Sequence, residues 1–521
     1  MKRACVLALG IVLLPLAATA QPSIVLLGGR VFTNDPAKPT ATAIAIKGDK
    51  IIAVGTDAEI NALGGDANTL RFRLNGAVVI PGINDAHTHP GRGPVGLQIG
   101  TSPDSTAADL ALALGSAIEE TSPDLWLLGE VGRPIMLDAS VNRAKLDQLA
   151  PNRKVMLRSF TGHGMILSSR AIQEVGLAEN APDPPGGRFG RNADGTLNGR
   201  VFEYAEYAVL RKISKLTQQP GDLRNALQDF VDEAIRFGIT SVQAMPISED
   251  NTAFAAALAE INPPLRIRNI FFPLSLQPAL PREPFLVKGT DGVKWILDGT
   301  PVEKGAAIRT PYPDGGGSGQ LNFTSFTGVI KAGLAAHQQL LFHAAGDLTT
   351  ATLLTEMQNT PGVNWPAARP RIEHGDGLLP DLDAQARNLG VVVVINPSHF
   401  FARSLYPAGG FMRAKSLLKV PLTVAIGSDG PLNPYLNIMM AVSRADGNRR
   451  EELTREEAVA AYTLGSALAE NRDDKGVIAK DKLADIAVLS QNIFSVPLDQ
   501  LPLTFSKLTI IGGKIVHNVL P

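Results

Sequence analysis

The chain has 521 residues, 45% of them hydrophobic and 19% charged, enough apolar material for one large core and smaller satellite domains. Its 49 Lys and Arg residues balance 50 Asp and Glu, which gives no footing for nucleic acid or another polyanion; the expected ligand is a small molecule. Residues 1–20 run from Lys2 and Arg3 through an apolar stretch, Val6 to Leu16, to Ala18-Thr19-Ala20. That is the layout of a secretory signal, so the mature chain is expected to begin near Gln21 in a secreted or periplasmic location. The apolar run is interrupted by Pro15 and falls short of the roughly 20 residues a membrane span needs, so no integral membrane segment is expected after cleavage. Cys5, the single cysteine, lies inside this leader, which removes disulfides, cysteine ligands and cysteine nucleophiles from the mature chain.

Short β-like segments follow at Ser23 to Thr33, Thr42 to Val54 (broken by Gly48-Asp49) and Leu70 to Val79. Similar material returns at Ala484 to Leu489 and Leu508 to His517, the latter with Gly512-Gly513 as a hairpin turn. These ends predict a composite β-sandwich domain of residues 21–76 and 476–521. Between them, in 77–475, apolar runs alternate with helical patterns: Val78 to Ile80, Thr240 to Met245, Ile267 to Phe272, Val293 to Leu297, Leu340 to Phe342, Arg371 to His374, Val391 to Ile395 and Thr423 to Ile426. The pattern predicts an α/β fold, and eight such runs fit a TIM (β/α)8 barrel, although periodicity alone does not separate a short buried strand from a buried helix segment. The gap between the first two runs is far longer than an ordinary connection. It is expected to hold an inserted α/β subdomain, residues 92–230 in round terms, with a strand at Lys154 to Ser159 and a loop at Asp183-Pro184-Pro185-Gly186-Gly187, overhanging the barrel mouth.

Asp85-Ala86-His87-Thr88-His89 follows directly on the first run and on Pro81-Gly82. Residues two apart on an extended chain face the same way, so His87 and His89 can reach one cation, at about 2.0–2.1 Å for zinc. A bare His-x-His pair is weak evidence, but the chain has only 8 histidines. His343, His374 and Asp429 each close an apolar run, and in a parallel barrel all such ends converge on one face. Singly, each has a bland alternative, a hydrogen-bonded buried histidine or a helix-capping aspartate. Together, at the ends of the first, fifth, sixth and eighth runs, they predict a metal site.

The segment Pro81 to His89, the later histidines and Gly427-Ser428-Asp429 resemble the amidohydrolase superfamily. More narrowly, Val293-Lys294-Trp295-Ile296-Leu297-Asp298-Gly299, Phe342-His343-Ala344-Ala345-Gly346-Asp347 and Arg371-Ile372-Glu373-His374-Gly375-Asp376 resemble amidohydrolase family 3, which includes N-substituted formamide deformylases and relatives of D-aminoacylase. The resemblance runs from about Ser23 to the C-terminus, through Lys475-Gly476, Ala484-Asp485 and Gly512-Gly513-Lys514.

The resemblance implies two divalent metals, His87, His89 and Asp429 holding the more buried one and His343 and His374 the more exposed. A carboxylated lysine, a glutamate or a cysteine would bridge them. With cysteine excluded, Lys294 is the candidate, taking up carbon dioxide; flanked by Val293 and Trp295 on the fourth run, it would be buried, which favours the neutral amine that step needs. A snorkelling or ion-paired lysine is the alternative. Nitrogen and oxygen ligands suit zinc, and manganese, iron or cobalt can occupy the same set. The implied reaction is attack of a metal-activated hydroxide on an amide carbonyl, Asp429 passing the proton to the departing amine. His163, in Thr161-Gly162-His163-Gly164, is implied to face substrate and stabilise the oxyanion, against a purely structural role. Trp295 and Arg403, with Glu203, Tyr204 and Phe400, are candidate pocket lining; His337 and His517 receive no role. The leading function is hydrolysis of the C–N bond in an N-acyl, N-formyl or cyclic amide. An ester, lactone or phosphoester hydrolase at the same site, or a non-catalytic secreted binding protein on a degenerate barrel, stays open, because specificity lies in loops and insert. A homodimer through the terminal β domain also stays open.

Overall fold

The computed structural model describes residues 21–274, 292–335, 338–407 and 409–521; the expected leader, residues 1–20, and His337 lie outside the described residues. Strands from both ends of the chain meet in two sheets. One is N-terminal throughout, in the order Lys50–Gly55, Ala43–Lys47, Ile24–Leu27, Leu70–Arg73. The other runs Lys514–Asn518, Ser506–Ile511, Ile486–Leu489, Val78–Pro81, Arg30–Phe32, Thr40–Ala41. Every second residue of these strands is apolar, so Ile24, Leu26, Ile44 and Ile46 of the first sheet pack against Val31, Val79, Ile486 and Val488 of the second. Gly512 (φ +54°) and Gly513 (φ +70°) make the turn between the last two strands, where a two-residue hairpin asks for two left-handed residues.

Among the described residues, eight parallel strands carry the rest: β1 (Ile83–Thr88), β2 (Ile239–Ala244), β3 (Arg266–Asn269), β4 (Gly292–Ile296), β5 (Gln339–His343), β6 (Arg371–Glu373), β7 (Val392–Ile395) and β8 (Thr423–Ile426). They form a sheet of three, β3-β2-β1, and a sheet of five, β4-β5-β6-β7-β8. Phe271 joins the two sheets: its N–H donates to the Gly292 carbonyl and its carbonyl accepts from Lys294 N–H, both at 2.9 Å. At the other seam, Asp429 N–H donates to the His87 carbonyl at 2.9 Å. The continuous ring of strand pairs expected for a barrel is therefore seen as three plus five, joined at isolated points. Helices cover the outside; Asp222–Arg236, for example, turns Leu227, Val231, Ala234 and Ile235 inward at helical spacing.

The run Val78 to Ile80, expected as the first barrel strand, instead belongs to the terminal sheet, paired with Ile486–Leu489 and Arg30–Phe32. The chain leaves that sheet at Gly82, where a Cβ would lie 2.2 Å from Thr240 Oγ1. β1 begins at the next residue and is buried throughout, although it carries Asn84, Asp85, His87 and Thr88. A strand whose buried residues are this polar has no hydrophobic signature. The other seven runs lie within a few residues of β2 to β8.

Between β1 and β2 the chain builds a six-stranded sheet, in the order Gly187–Arg191, Leu197–Glu203, Gly164–Leu167, Lys154–Ser159, Trp126–Val131, Leu97–Gln98. Alternation divides its apolar side chains between two faces: Leu127, Val155 and Leu157 meet the helices Ala107–Glu120 and Arg143–Leu149, while Leu128, Met156 and Met165 meet Ser169–Glu174 and Tyr204–Thr217. No helix among the described residues is long and apolar enough to cross a membrane.

Candidate functional site

The C-terminal ends of β1, β4, β5, β6 and β8 bring a row of donor atoms together. His87 Nε2 lies 3.1 Å from His89 Nε2 and 2.8 Å from Lys294 Nζ. Asp429 places Oδ1 3.1 Å from His89 Nε2, and Oδ2 3.5 Å from each of His87 Nε2 and His374 Nδ1. The His374 ring stands between those of His87 (centroids 5.1 Å) and His343 (4.4 Å), and His343 in turn faces His163 (4.6 Å). His374 and Asp429 both have positive φ, +74° and +36°. Each such non-glycine residue costs of order 1–3 kcal/mol and persists only where its surroundings enforce it.

The outward nitrogen of each imidazole is engaged. His87 Nδ1 lies 2.6 Å from Glu373 Oε2, and the buried Arg371 grips that carboxylate through Nε (2.8 Å) and Nη2 (3.0 Å). His89 Nδ1 meets the Met245 carbonyl at 2.6 Å and His374 Nδ1 meets Asn396 Oδ1 at 2.9 Å. The other nitrogens of His87 and His89 face each other, Lys294 and Asp429, and His374 Nε2 is buried with no hydrogen bond. His87, His374 and Asp429 offer atoms within 4.8 Å of one another. Imidazoles held by their far nitrogen, a carboxylate and a lysine fit a divalent metal centre with nitrogen and oxygen ligands.

The charges agree with that fit. Burial drives His87 down to about 4, helped by Lys294, and drives His343 and His374 well below the usual histidine value, so these rings are neutral. Burial would raise Asp429, but His87, His89 and His399 hold it well below the ordinary carboxylate range. Burial also lowers Lys294 to about 8, against the pull of Asp429 and Glu373. His89, Lys294, His343, His374 and Asp429 line a cavity of about 890 Å³ whose walls include Phe160, Phe230, Phe401, Leu436 and Met440.

The model of the amidohydrolase family matches residues 73–517. The chain belongs to the amidohydrolase family. It is accordingly a hydrolase acting on carbon–nitrogen bonds, and this is the family that the motifs resemble. Its similarity to the YtcJ protein of Bacillus subtilis is 27% identity over 94% of this chain and 98% of the relative. The N-substituted formamide deformylase of Arthrobacter pascens is 23% identical over 91% of this chain and 94% of that protein. In fold, an uncharacterized metal-dependent hydrolase from Pyrococcus furiosus superposes with a TM-score of 0.65, at 20% identity, over 91% of this chain and 100% of the other.

Within this amidohydrolase, the structure brings together His87, His89, Lys294, His343, His374 and Asp429, and adds His163 at the edge of the row. His163 Nδ1 lies 3.0 Å from Glu203 Oε2, and both side chains are buried. Burial opposes a charge on His163, but Glu203, then Glu303 and Glu206, lift it to about 9, which makes it an imidazolium. Two expected lining residues are placed elsewhere. Trp295 is fully buried in the core against Phe323, because Lys294 beside it points inward and successive side chains on a strand point to opposite faces. Arg403 donates to the Gly409 carbonyl at 2.9 Å and lies off the cavity wall. Of the weaker candidates, Tyr204 accepts the Ile296 N–H at 2.9 Å, and Phe400 lies under the Arg444 guanidinium at 3.7 Å.

Four residues at the site escaped the sequence reading. His399 brings Nε2 to 3.5 Å from Asp429 Oδ2 and stacks on His374. Glu373 and Asn396 hold the rings of His87 and His374, as described. Asp298 accepts the N–H groups of Ala307, Ala345 and Gly346 and the Thr349 hydroxyl, pinning the turn that follows His343. Scarcity of histidine, already used for the others, was a signal for His399, and Arg371, two residues earlier on the same strand, a partial one for Glu373; Asn396 and Asp298 carried none.

Proposed function

We propose that this amidohydrolase binds two divalent cations, zinc by preference, and hydrolyses the C–N bond of an N-acyl, N-formyl or cyclic amide. The observation that carries the reading is the meeting of four imidazoles, Asp429 and Lys294 beneath one cavity, which all of them but the buried His87 line. His87, His89 and Asp429 would hold one ion, His343 and His374 the other, and Lys294, carboxylated by carbon dioxide, both. When bound, the ions supply Lewis acidity to the scissile carbonyl and lower the pKa of water.

The chain's own groups do the rest. His163, charged and fixed by Glu203, donates to the carbonyl oxygen as negative charge builds there. Asp429 takes a proton at its carboxylate and delivers it to the departing nitrogen. The apolar wall of Phe160, Phe230 and Phe401 orients the substrate body and excludes water. The eight parallel strands are read as a TIM barrel under a β-sandwich of residues 21–76 and 476–521, and the leader in residues 1–20 makes the enzyme secreted or periplasmic.

The test is metal content of the purified protein, with hydrolysis of a panel of N-acyl and N-formyl amides before and after chelation. Two ions per chain and chelator-sensitive cleavage are expected. Neither metal nor turnover after supply of zinc or manganese with bicarbonate would overturn the proposal.

A further inference from the structure

We propose that Arg158 anchors a carboxylate carried by the substrate, so that the amides cleaved are anionic; this deepens the amide-hydrolase reading and rests on it. Arg158 stands on the inserted strand Lys154–Ser159, and its side chain reaches the wall of the same cavity. Among the described residues, the other lysine or arginine on that wall is Lys294, which belongs to the donor cluster. Arg158 is thus the cation left for a ligand.

Its direction is fixed from behind. Nε donates to Glu206 Oε1 at 2.6 Å, with the arginine side chain 31% exposed and the glutamate 0%. The second Glu206 oxygen is buried with no partner. Burying a carboxylate with one oxygen unsatisfied weakens the fold, and what this one gives in return is an aimed guanidinium. With Nε engaged, the terminal nitrogens Nη1 and Nη2 have no acceptor among the described residues. Their parallel N–H groups match the two oxygens of a carboxylate.

The surroundings are shaped for such a ligand. Gly162 (φ +75°) lies beside the guanidinium, and a Cβ there would come within 2.8 Å of Nη2. The Phe160 and Phe401 rings, 6.0 Å apart, add an apolar flank to the same cavity. Gly162, beside the guanidinium, directly precedes His163, whose ring lies over His343, so Arg158 stands on the His163 side of the cluster. A substrate seated on Arg158 lies past His163 with its acyl group toward the donor atoms.

The experiment compares kcat/KM for matched N-acyl amides that end in a carboxylate or in a carboxamide, using the full-length metal-loaded enzyme, Arg158→Gln and Arg158→Lys. The wild type should prefer the carboxylates, and Arg158→Gln should reduce that preference roughly 10- to 100-fold, mainly through KM. Arg158→Lys should retain part of it, since the ammonium keeps the charge and loses the fork. No preference in the wild type, or one that survives Arg158→Gln, overturns the proposal while leaving amide hydrolysis intact. If no amide is cleaved, the amide-hydrolase reading falls, and calorimetric binding of phenylacetate still decides the anchor: loss of roughly tenfold or more in affinity in Arg158→Gln supports it, and equal affinity overturns it.

Discussion

His87 Nδ1 and Glu373 Oε2 lie 2.6 Å apart, and neither side chain is exposed. Burial would raise Glu373, but Arg371 and His87 hold it down to about 2, so it is a carboxylate that orients the ring and directs Nε2 at the site. In Glu373→Gln the amide keeps the shape and loses the charge. Metal affinity is expected to fall roughly 10- to 100-fold, read by metal titration against a competing chelator, with the far-UV spectrum unchanged. Wild-type affinity would show that His87 needs no such support.

For Asp429→Asn, a ligand oxygen remains but no proton can be held at it. Turnover should drop roughly a hundredfold or more while bound metal falls less, as seen by steady-state kinetics beside metal analysis of the same sample. Near-normal turnover would point to a different base, with His399 the neighbour to try next.

Lys294→Ala removes the group that lies 2.8 Å from His87 Nε2. The variant should lose metal and activity, and short-chain carboxylates such as propionate should restore part of both by occupying the place of a carbamate. Full metal content without any additive would sink the bridging role.

Trp295 gives a different kind of test, because it belongs to the core. Trp295→Phe should leave KM unchanged and lower the melting temperature, and Trp295→Ala should cost about 3–5 kcal/mol of stability. A KM change in Trp295→Phe without loss of stability would return this residue to the pocket.

Stability should also depend on pH through Glu206. Burial raises its carboxyl from 4.5 to about 7, against Arg158. The native state therefore holds a proton that the unfolded chain has lost between those values, so stability falls as pH rises through that window and stays lower above it, by about 3 kcal/mol. Replacing it in Glu206→Gln should raise the melting temperature relative to wild type more at pH 8 than at pH 5. An equal difference at both pH values would show that Glu206 does not titrate in this way.

What the sequence reveals here follows from which residues are apolar. Val392–Ile395 and Thr423–Ile426 stand out as short aliphatic runs, and the candidate ligands that close such runs, His343, His374 and Asp429, can be placed by the strand in front of them. β1 is legible only through His87 and the His89 that follows it, since Asn84, Asp85 and Thr88 are buried polar residues with partners from distant segments, such as Ser428 N–H on Asp85. Glu373 is legible only in part: Arg371, two residues before it on the same strand, faces the same way, but the ring of His87 that it holds comes from a distant segment. Trp295 and Lys294 share one motif, yet the pleat separates them, one into the core and one into the site. Which of two adjacent residues faces inward depends on register, and register is set by pairing with β5 rather than by the motif itself.

The strand Val78–Pro81 lies between Arg30–Phe32 and Ile486–Leu489 and runs through Gly82 into the strand that bears His87. A nascent chain that has not yet reached residue 486 thus has the base of the strand that bears His87 fastened on one edge only. Contacts spanning so much sequence form late, so the candidate metal site should be among the last parts of the molecule to be fixed during synthesis. A truncation within the final strands would then act as a remote lesion, loosening His87 and His89 although every residue of the site is still present.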